Sequence, residues 1–84
     1  ISMRFGGTFR VDAGEGDLNL VVHQLDASGE VVGTDQVSVH ATTTYREFSG
    51  ELTLDARAET ARFQLYLLSP ATFRADEMFL VPSC

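Results

Sequence analysis

The chain contains no lysine and no tryptophan, and its single cysteine, Cys84, is the last residue. Its cations are six arginines against twelve acids, which gives a net charge of −6. A negative chain without a basic stripe repels phosphate groups, so neither nucleic acid nor an anionic membrane is an expected partner. No apolar run in the sequence approaches the roughly 18 residues of a membrane-spanning helix.

Residues that commonly build catalytic sites are equally sparse. The only histidines are His23 and His40, and no Gly-x-Ser-x-Gly segment presents a serine nucleophile. One cysteine and two isolated histidines do not provide the ligands of a zinc site. We therefore expect no enzymatic activity. The acids between Asp12 and Asp17 leave two interpretations open, a cation site of oxygen ligands or a solvated turn, and the turn is favoured.

The sequence does contain a repeated alternation of apolar and polar residues with turn signals between the segments. This period of two predicts strands over about 3–11, 17–25, 30–40, 45–54, 61–67 and 72–81. No window shows a capped helical stripe. The sequence therefore predicts one all-β domain over residues 1–84, an antiparallel β-sandwich or jelly roll of about six strands with little or no helix.

The clearest hairpin signal is Asp26-Ala27-Ser28-Gly29 between the second and third strands. Glycine at the fourth position accepts a positive φ without a Cβ clash, which predicts a tight turn closed by a glycine bulge.

Several polar side chains are expected to point away from the core, because they alternate with the apolar positions of their strands. If the strands share a sheet, these residues form one polar surface that carries an aromatic ring. They are Arg10 on the first strand, His23 on the second, and Arg62, Gln64 and Tyr66 on the fifth. Such a mixture binds sugars, since aromatic faces take C–H groups and planar amide or guanidinium groups match hydroxyls. The alternative is that these residues only keep the sandwich face soluble.

The order of motifs resembles carbohydrate-binding modules of families 4 and 9, galactose-binding-like jelly rolls of secreted polysaccharide-degrading enzymes. The resemblance is carried by Thr42-Thr43-Thr44-Tyr45-Arg46-Glu47-Phe48, Ala61-Arg62-Phe63-Gln64-Leu65-Tyr66-Leu67 and Ala75-Asp76-Glu77-Met78-Phe79-Leu80. It covers nearly the whole chain but only the later part of the family domain. It implies a secreted, polysaccharide-binding module and a structural calcium ion held in part by Asp76. Tyr45 stands where the family commonly has tryptophan.

A jelly roll without its first strands exposes apolar sheet edges. We therefore expect a second chain or an oligomer that completes the sandwich. Cys84 fits either a thiol partner elsewhere or a chain-end thiol without a role. The leading functional hypothesis is a carbohydrate-binding module, and the alternative is a structural or protein-interaction β-sandwich without affinity for sugars.

Overall fold

A computed structural model describes residues 1–82 of the chain, and these residues form six β-strands. The strands are β1 (Ser2–Val11), β2 (Gly16–Leu25), β3 (Val31–Ala41), β4 (Arg46–Thr53), β5 (Thr60–Leu67) and β6 (Phe73–Pro82). The sequence-predicted strand positions agree with these to about one residue at most ends. Residues 1–82 contain no helix that could cross a membrane. The predicted all-β class is therefore confirmed.

The strands form two antiparallel three-stranded sheets. Sheet A has the order β4-β1-β6 and sheet B has the order β3-β2-β5. The first two strands are thus the central strands of the two sheets, and the other four are sheet edges. A β-sandwich results, because each sheet buries one face of its alternating pattern against the other sheet.

The predicted hairpin joins β2 to β3. Gly29 has a φ of 89° and its N–H donates to the carbonyl of Asp26 at 3.0 Å. The Asp26 carboxylate also accepts from the backbone N–H of Ser28 at 2.9 Å and of Glu30 at 3.0 Å. The β2–β3 register shifts by one residue between Gln24 and Leu25, and beyond this shift His23 faces Thr34 and Leu18 faces Val39.

The core lies between the central strands and extends toward β3 and β4. Its buried side chains occupy the alternate positions that point toward the other sheet, called here the inner phase, and they include large residues from both central strands. They are Phe5, Phe9, Val11, Leu18, Leu20, Val22, Val39, Ala41 and Leu52. The side on which β3 packs against β4 is called here the closed side.

The opposite side, formed by β5 and β6, is called here the open side, because several inner-phase side chains of these two strands are exposed. Leu65 and Leu67 point inward by register, as the alternation predicts, yet they are 43% and 57% exposed. Met78 of β6 is exposed as well. A cavity of about 240 Å³ opens at one end of this side, lined by Leu52, Leu54, Ala58, Ala61 and Leu80 among others.

Candidate functional site

The outer face of sheet B holds four of the five predicted sugar-contacting residues. The antiparallel register places His23 opposite Arg62, Val21 opposite Gln64, and Asn19 opposite Tyr66. On the other flank of β2, the same three residues face Thr34, Gln36 and Ser38 of β3. These nine residues form a three-by-three array, which we call the polar face.

A chain of hydrogen bonds crosses the polar face from β3 to β5. His23 Nδ1 lies 2.9 Å from Thr34 Oγ1, and His23 Nε2 lies 2.9 Å from Gln64 Oε1. The Tyr66 hydroxyl donates to the same Gln64 oxygen at 2.8 Å. Because an amide oxygen only accepts, His23 Nε2 donates to Gln64. His23 Nδ1 then accepts the hydrogen bond that the Thr34 hydroxyl donates. The chain therefore fixes both the histidine tautomer and the position of the tyrosine ring.

Two of the hydrogen-bond donors on the β5 part of this face have no partner within residues 1–82. The Arg62 guanidinium forms no hydrogen bond or ion pair there, and the Gln64 amide nitrogen forms no hydrogen bond. Gln64 is the outward residue next to Tyr66, which is 50% exposed, and Arg62 is the outward residue after Gln64. A planar ring in line with free planar donors is able to bind a polyhydroxylated ligand, since the ring packs on C–H groups and the donors reach hydroxyl oxygens.

Val21 occupies the middle of the array and gives it an apolar centre. It belongs to the outer phase of β2, yet only 4% of it is exposed. Its register neighbours are Gln36 and Gln64, whose long side chains flank it on the two adjacent strands. The polar side chains of the face therefore surround a buried valine.

The structure separates Arg10 from the other predicted site residues. Arg10 lies on β1, in sheet A, so it points from the opposite outer surface of the sandwich. Its guanidinium lies 3.5 Å from the Asp12 carboxylate and 5.2 Å from the centre of the Tyr45 ring. The prediction that it joins the surface around Tyr66 was wrong, because alternation gives the phase of a residue within a strand but not the sheet to which the strand belongs.

Asp76 lies on β6, and its carboxylate accepts the backbone N–H of Glu77 at 2.9 Å. Within residues 1–82, no three His, Cys, Asp or Glu side chains converge in a metal-binding arrangement, at Asp76 or elsewhere. Calcium takes six to eight oxygen ligands, which include backbone carbonyls and waters as well as carboxylates, so a calcium role for Asp76 stays a prediction. Cys84, for which a partner was considered, lies outside the described residues.

The acids between Asp12 and Asp17 pair with protein cations. Arg74 donates to Asp12 at 2.6 Å and 3.1 Å and holds the pKa of that carboxyl below its usual value. His40 lies 2.7 Å from Asp17 and 3.1 Å from Glu15. These hydrogen bonds to Asp17 and Glu15 raise the pKa of His40. The arrangement supports the solvated-turn interpretation, with the loop fastened to the ends of β3 and β6.

Sequence reasoning did not identify four of the eight polar members of the polar face, namely Asn19, Thr34, Gln36 and Ser38. The Asp26–Gly29 hairpin predicts that β3 pairs with β2, but counting outward from the turn places Gly33 opposite His23. The register shifts by one residue between Gln24 and Leu25, which places Thr34 there instead.

Comparisons with protein-family models, with curated proteins and with solved structures found no match to this chain. The resemblance to carbohydrate-binding modules therefore stays a prediction based on the motifs quoted above.

Proposed function

We propose that this chain is a non-catalytic carbohydrate-binding module that holds a secreted enzyme or surface protein against a polysaccharide or oligosaccharide. The observation that carries the proposal is the position of Tyr66, half exposed and in line along β5 with the free donors of Gln64 and Arg62. Tyr66, Gln64, Arg62 and His23 form the site, and Arg10 is no longer included.

The hydrogen-bond chain provides the preorganisation that sugar binding requires. Thr34 orients His23, His23 orients Gln64, and Gln64 holds the Tyr66 hydroxyl. A side chain already fixed in its bound rotamer loses little entropy when the ligand arrives. The pyranose C–H face packs on the Tyr66 ring, while the Gln64 amide nitrogen and the Arg62 guanidinium donate to its hydroxyl oxygens.

The test is retention of the pure chain on a panel of glucans, xylans and mannans, followed by titration with oligosaccharides of the retained polymer. Tyr66→Ala removes the stacking surface and is expected to weaken binding by about tenfold or more, which corresponds to about 1.4 kcal/mol. Tyr45→Ala is the matched control, because Tyr45 is a comparably exposed tyrosine, 45% exposed, that contacts Arg10 of sheet A.

Loss of retention with Tyr66→Ala, together with unchanged retention of Tyr45→Ala, supports the site. Equal losses in both variants contradict the assignment to sheet B. A folded wild-type chain that is retained by no polymer contradicts the proposed function itself.

The second candidate function is a structural or protein-interaction β-sandwich, favoured by the exposed apolar residues of the open side. Leu65, Leu67 and Leu68 form a run of exposed apolar positions along β5 and just beyond it. Apolar surface of this kind marks contacts with other protein more often than contacts with sugar. Binding that survives Tyr66→Ala but is abolished by Leu67→Lys would assign the partner to the open side instead of the polar face.

Calcium binding through Asp76 belongs to the same proposal and has its own test. Calcium titration of the chain by calorimetry, with Asp76→Asn as the comparison, is expected to show heat only for wild type. Equal behaviour of the two proteins removes calcium from the proposal without affecting the sugar site.

A further inference from the structure

β5 is an edge strand whose outer edge has no strand partner within residues 1–82. Its even-numbered residues form the backbone hydrogen bonds to β2. At the end of the ladder, for example, the Leu68 N–H donates to the Asp17 carbonyl at 2.9 Å. In an antiparallel ladder the hydrogen-bonding direction alternates along the strand. The backbone groups of Ala61, Phe63, Leu65 and Leu67 therefore point away from β2 and are available to another strand.

The other three edge strands carry features that oppose pairing with a further strand. On β3, Asp35 occupies an inner-phase position opposite Val22. On β6, Glu77 has a φ of 51°, and the β1–β6 register shifts between Gly6 and Thr8. β4 carries the charged residues Arg46, Glu47 and Glu51. Inward charges, bulges and charged edges are the common ways in which proteins prevent edge-to-edge association.

β5 has none of these protections. Its eight residues run without a register shift against β2, and Arg62 is its only charge. Its inner-phase residues are apolar, and two of them, Leu65 and Leu67, are largely exposed. A regular, largely apolar edge with a single charge is a ready template for strand addition.

We propose that β5 pairs antiparallel with β5 of a second copy of this chain, around a two-fold axis at Gln64. Sheet B then continues across the axis as one six-stranded sheet. Phe63 faces Leu65 of the other copy, Ala61 faces Leu67, and Arg62 faces Tyr66. Every apolar inner-phase side chain of β5 gains an apolar neighbour, and the two open sides join.

The register follows from hydrogen-bond direction and charge. A ladder forms only when the residues whose backbone groups point away from β2 face each other in the two copies. This condition excludes the register that aligns the two strands end to end, because odd-numbered residues would then face even-numbered ones. A pairing centred on Phe63 leaves Leu67 outside the paired region and one centred on Leu65 leaves Ala61 outside, whereas one centred on Gln64 covers both. The Gln64-centred register also places Arg62 opposite Tyr66 of the partner on the outer face and opposes no like charges. The acids that give the chain its net charge of −6 lie outside β5.

The first experiment is a disulfide at the proposed axis. In this register the two Gln64 residues form a pair without hydrogen bonds, with Cα atoms about 4.5 Å apart, within the 4.4–6.8 Å range of disulfides. We expect Gln64→Cys, made in a Cys84→Ser background, to form a covalent dimer under mild oxidation. Ser38→Cys in the same background is the matched control, since Ser38 is an exposed outer-phase residue of edge strand β3, and it is expected to stay monomeric.

The second experiment measures the mass of the 84-residue chain without cysteine substitutions by sedimentation equilibrium. We expect a dimer of twice the 9.2 kDa chain mass. Leu65→Lys places a charge in the joined interior and should raise the dimer dissociation constant by about 100-fold or more, with the far-ultraviolet dichroism of the fold unchanged.

A folded chain that stays monomeric at high concentration overturns the proposal and favours a strand from a different molecule on this edge. Equal cross-linking of Gln64→Cys and Ser38→Cys also overturns it, because the two copies would then meet through β3 as often as through β5. A wild-type dimer that Leu65→Lys does not weaken likewise places the contact elsewhere.

Discussion

The closed and open sides of the sandwich use the same alternating pattern but bury it to different extents. On the closed side, Val39 and Leu52 are buried where β3 and β4 approach each other. On the open side, Leu65 and Leu67 have the same inner phase yet lie in solvent. The difference teaches that phase within a strand and burial are separate properties. Burial requires a second sheet at the right distance, and residues 1–82 supply one only toward β3 and β4.

The largest expected effect compares two leucines that face each other across the β2–β5 ladder. Leu18 is fully buried, whereas its register partner Leu67 is 57% exposed. We expect Leu18→Ala to lower the free energy of unfolding by about 2–5 kcal/mol, because it leaves a cavity in the core. Leu67→Ala should lower it by about 1 kcal/mol or less, in proportion to the small area that the side chain buries.

Urea denaturation at low protein concentration measures both values. Equal losses of free energy of unfolding would show that Leu67 is as buried in solution as Leu18. A loss for Leu67→Ala that grows with protein concentration would support the β5 dimer.

A smaller effect is expected at Gln24, which links the two sheets where the open side begins. Its amide nitrogen donates to the Thr53 carbonyl at 3.1 Å, and its amide oxygen accepts the Asp55 N–H at 2.8 Å. Gln24→Leu keeps the volume but leaves both backbone groups without a partner, which should reduce stability by about 1–3 kcal/mol. Gln36→Leu is the control, since Gln36 is exposed on the polar face, and its denaturation midpoint should move little.

On the closed side, Asp35 offers a third comparison. It is a half-buried inner-phase carboxylate on β3 that forms no ion pair within residues 1–82. Asp35→Val should raise the free energy of unfolding by about 0.5–1 kcal/mol and should also increase self-association, because β3 loses its inward charge. Light scattering during concentration checks the second part. A variant that is more stable but no more prone to associate would contradict the protective role assigned to Asp35.

The smallest expected effect is the pH dependence contributed by His40. Asp17 and Glu15 raise its pKa in the folded chain above the usual value of 6.5. Protonated His40 therefore stabilises the fold fully below pH 6.5, and this contribution disappears as the pH rises through the raised pKa. Urea midpoints measured between slightly acidic and slightly alkaline pH should fall for wild type. His40→Gln should remove that component of the slope, and an unchanged slope would contradict the assignment.

Much of the fold could be predicted from local signals, and the reasons are physical. Alternation gave the six strands, and Gly29 gave the hairpin with its positive φ. Sheet membership depends on contacts between distant parts of the chain, which alternation does not encode. His23 and Gln64 were grouped correctly, since β2 and β5 share a sheet. Arg10 was not, since β1 belongs to the other sheet.

The candidate site was predictable only in part for the same reason. The outward positions of β5 follow from its own sequence, but the link from Tyr66 to Thr34 needs the pairing of three strands. Tyr45 lies on the surface under Arg10, a neighbour that no sequence pattern indicated.

The pairing of β1 with β6 has a consequence for the order in which the chain gains structure. β1 is the central strand of sheet A, yet one of its partners starts at Arg46 and the other ends at Pro82. During synthesis the β2–β3 hairpin is able to form early from neighbouring residues, whereas the Met3–Pro82 pair of the ladder waits until Pro82 has been made. Until then β4 is the only sheet neighbour of Phe5 and Phe9, through the pairs Phe5–Gly50 and Phe9–Arg46. Sheet B is therefore expected to mature first, with sheet A condensing onto it as the slow step of folding.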